Sequence, residues 1–328
     1  MKKIVFVWSL ILLLAACGGG AEPAANGAGE AAAPEMMEIS LPMGYIADPQ
    51  YAPFYVAVDK GYFAEAGYDV TFDYSFETNG VEIVGANEQP FALVSGDVVL
   101  SARAQGIPVI YVMEWFQKYP IAVMSKAAAG IEEPADLIGR NVGLPFFFGA
   151  TYLGYVGVLD ANNIEDSQVT ADEIGFTQVE SLLTDQVDAV MVYVNNEPIQ
   201  LEAMGEEVNV IYVSDYVDMV ANGVITNENF AAENPERVAG FVRALTRGLQ
   251  DTLDNPDEAF EISKKYVEGL EDARQPVLEA SLPLWEAEQL GYTDAESWQR
   301  TQEILLQIGL LDEPLEDLGE VYTNEYLP

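Results

Sequence analysis

The 328-residue chain contains no histidine, a single cysteine, and only 14 lysines and arginines against 54 aspartates and glutamates. Without histidine, the usual Ser-His-Asp and Cys-His catalytic groupings and histidine-based zinc sites cannot be built. One cysteine excludes an intrachain disulfide framework and a Cys-x-x-Cys metal site. A formal net charge of −40 speaks against a nucleic-acid partner, because such proteins present basic surface to the phosphates. Neither a Walker loop nor a Gly-x-Ser-x-Gly elbow is present. Yet the chain is no disordered acidic tail. Half of it is apolar and 21% is charged, which suffices for one large core or two smaller ones.

What is there begins with two lysines, Lys2 and Lys3, followed by thirteen almost entirely apolar residues, 4–16. A membrane-spanning helix takes about 20 residues, so this is the pattern of a signal peptide. The run ends in Leu14-Ala15-Ala16-Cys17. That sequence resembles a bacterial lipobox, in which small residues admit the signal peptidase and the cysteine is lipidated. The expectation is a lipoprotein signal peptide over 1–16 and Cys17 as the lipidated residue. The body would then sit on the extracytoplasmic face of the cell membrane, held by a lipid anchor. Removing 1–16 takes away two lysines and no acid, leaving a charge of −42. Residues 18–35 are Gly, Ala, Pro, Asn and Glu, without a large apolar side chain. Such a stretch supports no core. Residues 17–36 therefore read as a tether, spanning roughly 24 Å as a flexible chain.

The body alternates strand and helix patterns. Tyr68, Val70, Phe72 and Tyr74 alternate with Asp69, Thr71, Asp73 and Ser75, the period of a strand with one buried face. Strands are expected at 38–46, 68–75, 91–95 and 109–115, then at 121–125, 141–144, 173–176, 189–193 and 208–213. Helices are expected at 51–66, 79–88 and 97–105, then near 150–163, 178–186 and 196–204. The last third is helical. Asn234-Pro235-Glu236 and Asn255-Pro256-Asp257 are helix starts, and Val238, Phe241, Val242, Leu245, Leu249 and Leu253 make a helical stripe. Strand–helix alternation implies an α/β class, with mostly parallel sheets flanked by helices. Two such blocks make two lobes, and the helical ending returns to cover the first. In sheets of this kind ligands bind beyond the carboxyl ends of the strands, here the cleft between lobes.

The segments at those ends are rich in aromatics and contain one basic residue, Lys118. Flat rings suit a planar heteroaromatic ligand, and scarcity of positive charge favours a neutral or weakly cationic one. Helix N-termini and hydroxyls offer the alternative of holding a sulfonate or phosphate. Tyr45, Tyr51, Trp115, Phe147, Tyr152 and Tyr193 are the candidate ring contacts. Gln50, Thr151, Asn196 and Asn222 are candidates for reading ring edges or a polyol tail, and Glu197 for accepting from ring N–H groups. Each has a plainer alternative: Phe54 or Tyr55 in the core, Asn196 as a helix cap, Asn222-Gly223 as a turn at the second crossover, and Asp97 as charge complement to a helix start.

Three segments resemble a known family. DPQYAPFYVAVDKGYFAEAGYDV (48–70), EEPADLIGRNVGLP (132–145) and GVITNENFAAENPERVAGFVRAL (223–245) occur in order. They are similar to solute-binding proteins of ABC importers, in the branch holding aliphatic-sulfonate, thiamine-pyrimidine and riboflavin binders. The resemblance covers roughly 38–270 and implies the type-2 periplasmic-binding-protein fold, two α/β lobes joined by two crossovers. Lobe I would be 37–119 plus 225–328 and lobe II 120–224. It also implies partnership with a permease and its ATPase. Relatives that synthesise the thiamine pyrimidine use an active-site histidine and a cysteine-rich iron site. This chain has no histidine, and its cysteine is at the lipobox, which points to a binder rather than an enzyme, with no cofactor. Within the branch, 44–57, IGFTQVE (174–180) and MVYVNNEPIQL (191–201) look most like the riboflavin-binding lipoproteins. The pyrimidine binders carry an acid or amide followed by Trp at the first strand end, where this chain has Gly44 and Tyr45. The resemblance thus implies riboflavin as the transported ligand, with a thiamine pyrimidine precursor or another small heteroaromatic as the alternative.

Overall fold

The computed structural model describes residues 36–328. The expected signal peptide, Cys17 and all but the last residue of the tether lie outside the described residues. The chain enters β1 (Met37–Gly44), makes one turn of 3-10 helix at Pro49–Tyr51 and continues into α1 (Ala52–Asp59). Asp48 caps this entry by accepting from the Gln50 N–H at 3.1 Å, and Pro49 takes a first position that needs no donor. The single helix expected over 51–66 is divided. Gly61 adopts φ +78°, a left-handed conformation that side chains resist, and α2 (Tyr62–Glu65) restarts beyond it. β2 (Tyr68–Phe76) pairs parallel with β1. α3 (Glu77–Gly85) follows directly, earlier than expected, which puts Glu77 in a helical first turn at a strand end. β3 (Phe91–Ser95), α4 (Gly96–Ala104) and β4 (Val109–Glu114) complete the first pass.

The second lobe is built from β5 (Ile121–Lys126), β6 (Asn141–Leu144), α5 (Gly149–Ala161), β7 (Thr170–Glu173), α6 (Gln178–Leu183), β8 (Ala189–Tyr193), α7 (Glu197–Ala203) and β9 (Val208–Tyr212). Its sheet has the order β7-β6-β8-β5-β9. The strand expected at 173–176 begins at Thr170 instead. Gly175, at φ +61°, turns the chain out of the sheet and leaves Phe176 in a loop.

β10 (Asn222–Asn227) returns to the first lobe, antiparallel between β3 and β4 in a three-stranded sheet separate from the β1–β2 pair. Asn222-Gly223, expected as a turn, opens this strand, with Asn222 opposite Ser95. A lobe boundary at 224/225 would cut β10 in half, whereas the whole strand pairs within the first lobe. In the second sheet β6, β7, β8 and β9 share one direction and β5 opposes them. In the three-stranded and five-stranded sheets the opposed strand, β10 or β5, is the one that follows a crossover. β1 lies beside β3, and α/β lobes with mostly parallel strands result.

The helical third contains α8 (Glu228–Glu233), α9 (Pro235–Asp254), α10 (Pro256–Ser263), α11 (Gln275–Trp285) and α12 (Ala295–Gln307). The stripe of α9 is buried from Val238 to Leu249 and packs with α10 on α1. Phe241 stacks on Phe91 with centroids 3.9 Å apart and meets Phe63 at 4.8 Å. Each fully buried ring of this kind contributes about 1.5–3 kcal/mol over exposure. Asn255 caps α10 through the Glu258 N–H. α12 packs on α4 of the first lobe and α5 of the second, and α4 packs on α5.

Candidate ligand-binding site

The strand ends of the two lobes line a cavity with about 800 Å³ of empty space, partly continuous with solvent. Residues ending β1, β2 and β8 contribute, as do Leu93 within β3 and those just after β4 and β6. Because β10 runs the other way, its first residue, Asn222, is the one that arrives there.

Tyr45, Gln50, Tyr51, Trp115, Thr151, Tyr193, Asn196, Glu197 and Asn222 are brought together as cavity lining. Phe147 and Tyr152 are not. Phe147 is 42% exposed and packs edge-on against Tyr152 at 5.7 Å. Tyr152 borders a separate surface depression with Val156 and Leu159. Phe146 and Phe148 face the cavity instead, stacked at 5.1 Å and 14°. The alternation along these three rings is real, with the phase opposite to a choice of Phe147. Sequence reasoning also missed Phe76, Glu77, Phe176 and Gln178, which line the cavity. Phe76 ends β2, Glu77 follows it, and Phe176 and Gln178 lie beyond the end of β7, the same signal that marked the other segments.

At the floor, Tyr51 stacks on Trp115 at 5.3 Å and 24°, and its hydroxyl donates to the Met43 carbonyl at 2.9 Å. Trp115 packs in turn on Phe116 and Trp285, so it serves both core and cavity. Phe54 and Tyr55 are fully buried, the plainer reading for both. Glu77 accepts from the Ser95 N–H at 3.0 Å, the Ser95 hydroxyl at 2.7 Å and Asn222 Nδ2 at 2.8 Å. The Tyr193 hydroxyl donates to Asn222 Oδ1 at 3.0 Å. A chain of hydrogen bonds thus runs from the second lobe into the first. Burial, and next the negative charge of Asp97, push the Glu77 carboxyl up to about 7 against its three hydrogen bonds. Glu197, which accepts from the Tyr193 N–H at 3.0 Å, is pushed up to about 7 by burial.

Further contacts join the lobes. Asn195 Nδ2 donates to Ser281 Oγ at 2.7 Å and to Gln50 Oε1 at 3.3 Å. Asn196 stands at the cap position of α7 but makes no capping bond. Its Oδ1 accepts from Gln200 Nε2 at 2.9 Å and from Arg274 Nη2 at 3.2 Å, and its Nδ2 lies 3.5 Å from the Tyr45 hydroxyl. Arg274 also pairs with buried Asp48. At the mouth, Phe76 meets Phe146 edge-on at 5.7 Å, and Tyr45 meets Phe176 at 5.0 Å. The lining includes nine aromatic residues, two glutamates and no lysine or arginine. Lys118 is exposed and stands outside it.

Residues 48–259 match the family described as NMT1/THI5 like. The chain belongs to this NMT1/THI5-like family. It is 40% identical over 337 residues to the riboflavin-binding protein RibY of Chloroflexus aurantiacus, covering 97% of this chain and 95% of that one. It is 29% identical to the formylaminopyrimidine-binding protein of Halalkalibacterium halodurans, covering 95% and 96%. Relatives at 22–24% identity are named 4-amino-5-hydroxymethyl-2-methylpyrimidine phosphate synthase. The periplasmic aliphatic sulphonate binding protein SsuA of Escherichia coli superposes with a TM-score of 0.75 at 14% identity, covering 89% of this chain and 99% of SsuA. That likeness is one of fold, the two-lobed periplasmic-binding-protein architecture. The chain is therefore similar both to proteins named as binders and to proteins named as enzymes.

Proposed function

We propose that this chain is the solute-binding component of an ABC importer, that its ligand is riboflavin, and that it binds without chemical conversion. The supporting observation is the cavity itself, made by both lobes, walled by aromatic rings and free of lysine and arginine. Stacking on Tyr45, Tyr51 or Tyr193 contributes about 1 kcal/mol per good pair beyond area burial. Amides of Gln50, Gln178 and Asn196 suit ring-edge carbonyls and a polyol tail. Hinge closure between the lobes would seal the ligand under the Phe76–Phe146 contact. A permease and its ATPase would receive it. Cys17 would carry the lipid anchor, holding the body on the extracytoplasmic face, and metabolic labelling with radioactive palmitate that is lost in Cys17→Ser tests this.

A pyrimidine precursor is the second reading. It is favoured by the buried Glu197 carboxylate, an acceptor for a ring amino group, and by the 29% identity to a formylaminopyrimidine binder.

Titrating the intact protein with riboflavin should quench flavin fluorescence saturably at stoichiometric protein. Absent quenching, with stabilisation by formylaminopyrimidine in a thermal melt, replaces riboflavin with the second reading. Turnover of either compound, read by mass spectrometry, overturns binding without conversion.

A further inference from the structure

A guanidinium group carries N–H donors and no acceptor. An asparagine amide that meets one must turn its oxygen toward it and its NH2 group away. Arg274, immediately before α11 in the first lobe, meets Asn196 at the start of α7 in the second. Its Nη2 donates to Asn196 Oδ1 at 3.2 Å. Gln200 donates to the same oxygen, but an amide can turn either way, so the guanidinium is what fixes Asn196. The Asn196 Nδ2 is left on the side of the Tyr45 hydroxyl, 3.5 Å away, and both residues line the cavity.

Arg274 is itself held from its own lobe. It pairs with Asp48, which is 2% exposed and whose other oxygen accepts from the Gln50 N–H. That pair lies within the first lobe, so parting of the lobes leaves it whole and breaks the bond to Asn196. A neighbouring bond follows the same line, from Asn195 Nδ2 to Ser281 Oγ of α11. Outside, a surface groove shares Tyr45 and Phe176 with the cavity. Its lining has four carboxylates, Asp48, Glu180, Glu197 and Glu268, and a single basic residue, Arg274. No second cation of the groove stands ready to take over the contact.

We propose that Arg274 is the latch of the cleft and a positioning residue for its ligand. Pre-set on the first lobe by Asp48, it takes Asn196 when the second lobe arrives and aims the Asn196 NH2 group toward the ligand as a donor. The proposal rests on the reading of the cavity as a ligand site. Closure then completes that site, and a ligand with an acceptor at this edge is the one retained. Because the donor is charged, the bond is of the stronger kind, and its loss falls on dissociation rather than association.

The test places nitroxide labels at Glu180→Cys and Glu268→Cys in the full chain on a Cys17→Ser background. Both positions are exposed, and they line the groove from opposite lobes. The closed-to-open ratio is read from the distance distribution, without ligand and again with riboflavin. Arg274→Met should lower that ratio at least fivefold in one condition or both, and Asn196→Ala should do the same. Asn196→Ala leaves Arg274 paired with Asp48, so a failure of Arg274→Met to fold does not obscure the result. Added to Asn196→Ala, Arg274→Met should change the ratio less than twofold. An unchanged ratio in folded Asn196→Ala, or effects that multiply in the double variant, overturns the proposal. In stopped-flow flavin fluorescence, riboflavin should leave Arg274→Met about tenfold faster than wild type, with association within twofold. A loss confined to association overturns the positioning role. Absent quenching by the wild-type chain refutes the ligand assignment, while the label distances still decide the latch.

Discussion

The floor and the mouth of the cleft are built on different terms. At the floor Tyr51 and Trp115 are 2% exposed and Glu197 is 4% exposed, and the Tyr51 hydroxyl and a Glu197 carboxylate oxygen are tied to backbone. At the mouth Phe76, Phe148 and Phe176 are 45–46% exposed and touch mainly one another. A buried polar group left without a partner costs about 1–3 kcal/mol, so the floor tolerates few shapes of ligand. The mouth rings meet across the lobes, Phe76 against Phe146 and Phe176, and lose that contact area when the lobes part. On the proposed reading the floor carries recognition and the mouth carries closure.

That division can be broken most severely at Trp115. Trp115→Ala removes the ring shared by Tyr51, Phe54, Phe116 and Trp285. It should lower stability by about 3–5 kcal/mol, read by urea unfolding, and weaken riboflavin binding more than about 100-fold in the quenching titration. A variant with normal affinity would remove Trp115 from the floor.

Glu114 asks whether burial alone, without a cavity, produces the raised carboxyls seen at the floor. It ends β4, away from the cavity lining, and accepts from the Ala221 N–H at 2.9 Å. Burial pushes it up to about 8. The folded protein therefore holds this proton up to about pH 8, whereas an unfolded glutamate loses it near 4.5. Between those values the folded state binds more protons, and stability falls as pH rises. Glu114→Gln keeps the acceptor for Ala221 and removes the titration. Its melting temperature should exceed the wild-type value by a few degrees at pH 8.5, roughly 2 °C per kcal/mol for a chain of this size. The two should converge below pH 4.5. Parallel curves for the two proteins across that range would refute it.

Glu197→Gln is a smaller change at the floor. The amide oxygen still serves the Tyr193 N–H, so folding should hold. Above pH 7, where Glu197 is ionised, loss of the charged acceptor should weaken the ligand about tenfold, on the order of 1.4 kcal/mol, by calorimetric titration. The smallest effect belongs to the mouth. Phe176→Ala should leave unfolding within about 0.5 kcal/mol and raise the dissociation rate roughly twofold to fivefold in stopped-flow fluorescence, with the association rate unchanged. A large equilibrium loss there would erase the distinction between the two regions.

Much of this was legible before any coordinates. Period-two and period-3.6 patterns located most strands and the α9 stripe, and Asn-Pro pairs marked helix starts. β10 was missed altogether, because Asn222-Gly223 reads as a turn and the short apolar centre Val224-Ile225 carries no period of its own. Glu77 was hidden for a different reason. Among 54 acids a single buried carboxylate carries no mark of its own, and only the early start of α3 turns it inward. Phe176 was assigned to a strand that ends before it. The choice of Phe147 over its neighbours failed on phase, which depends on how the chain leaves β6 at Pro145 rather than on composition.

α12 lies behind the floor, against a helix from each lobe. A brace in that position is a fulcrum. Rotation of one lobe about it swings Phe76 and Phe148 along a long arm, while α4 and α5 stay near the pivot. Spin labels at 76 and 148 should therefore separate markedly when ligand leaves, and labels at 101 and 156 should hardly move. Equal displacement of both pairs would mean that the lobes slide instead. With a lever of this form, a small amount of binding energy spent at the pivot is read out as a large gap at the rim, the end a transport partner would meet.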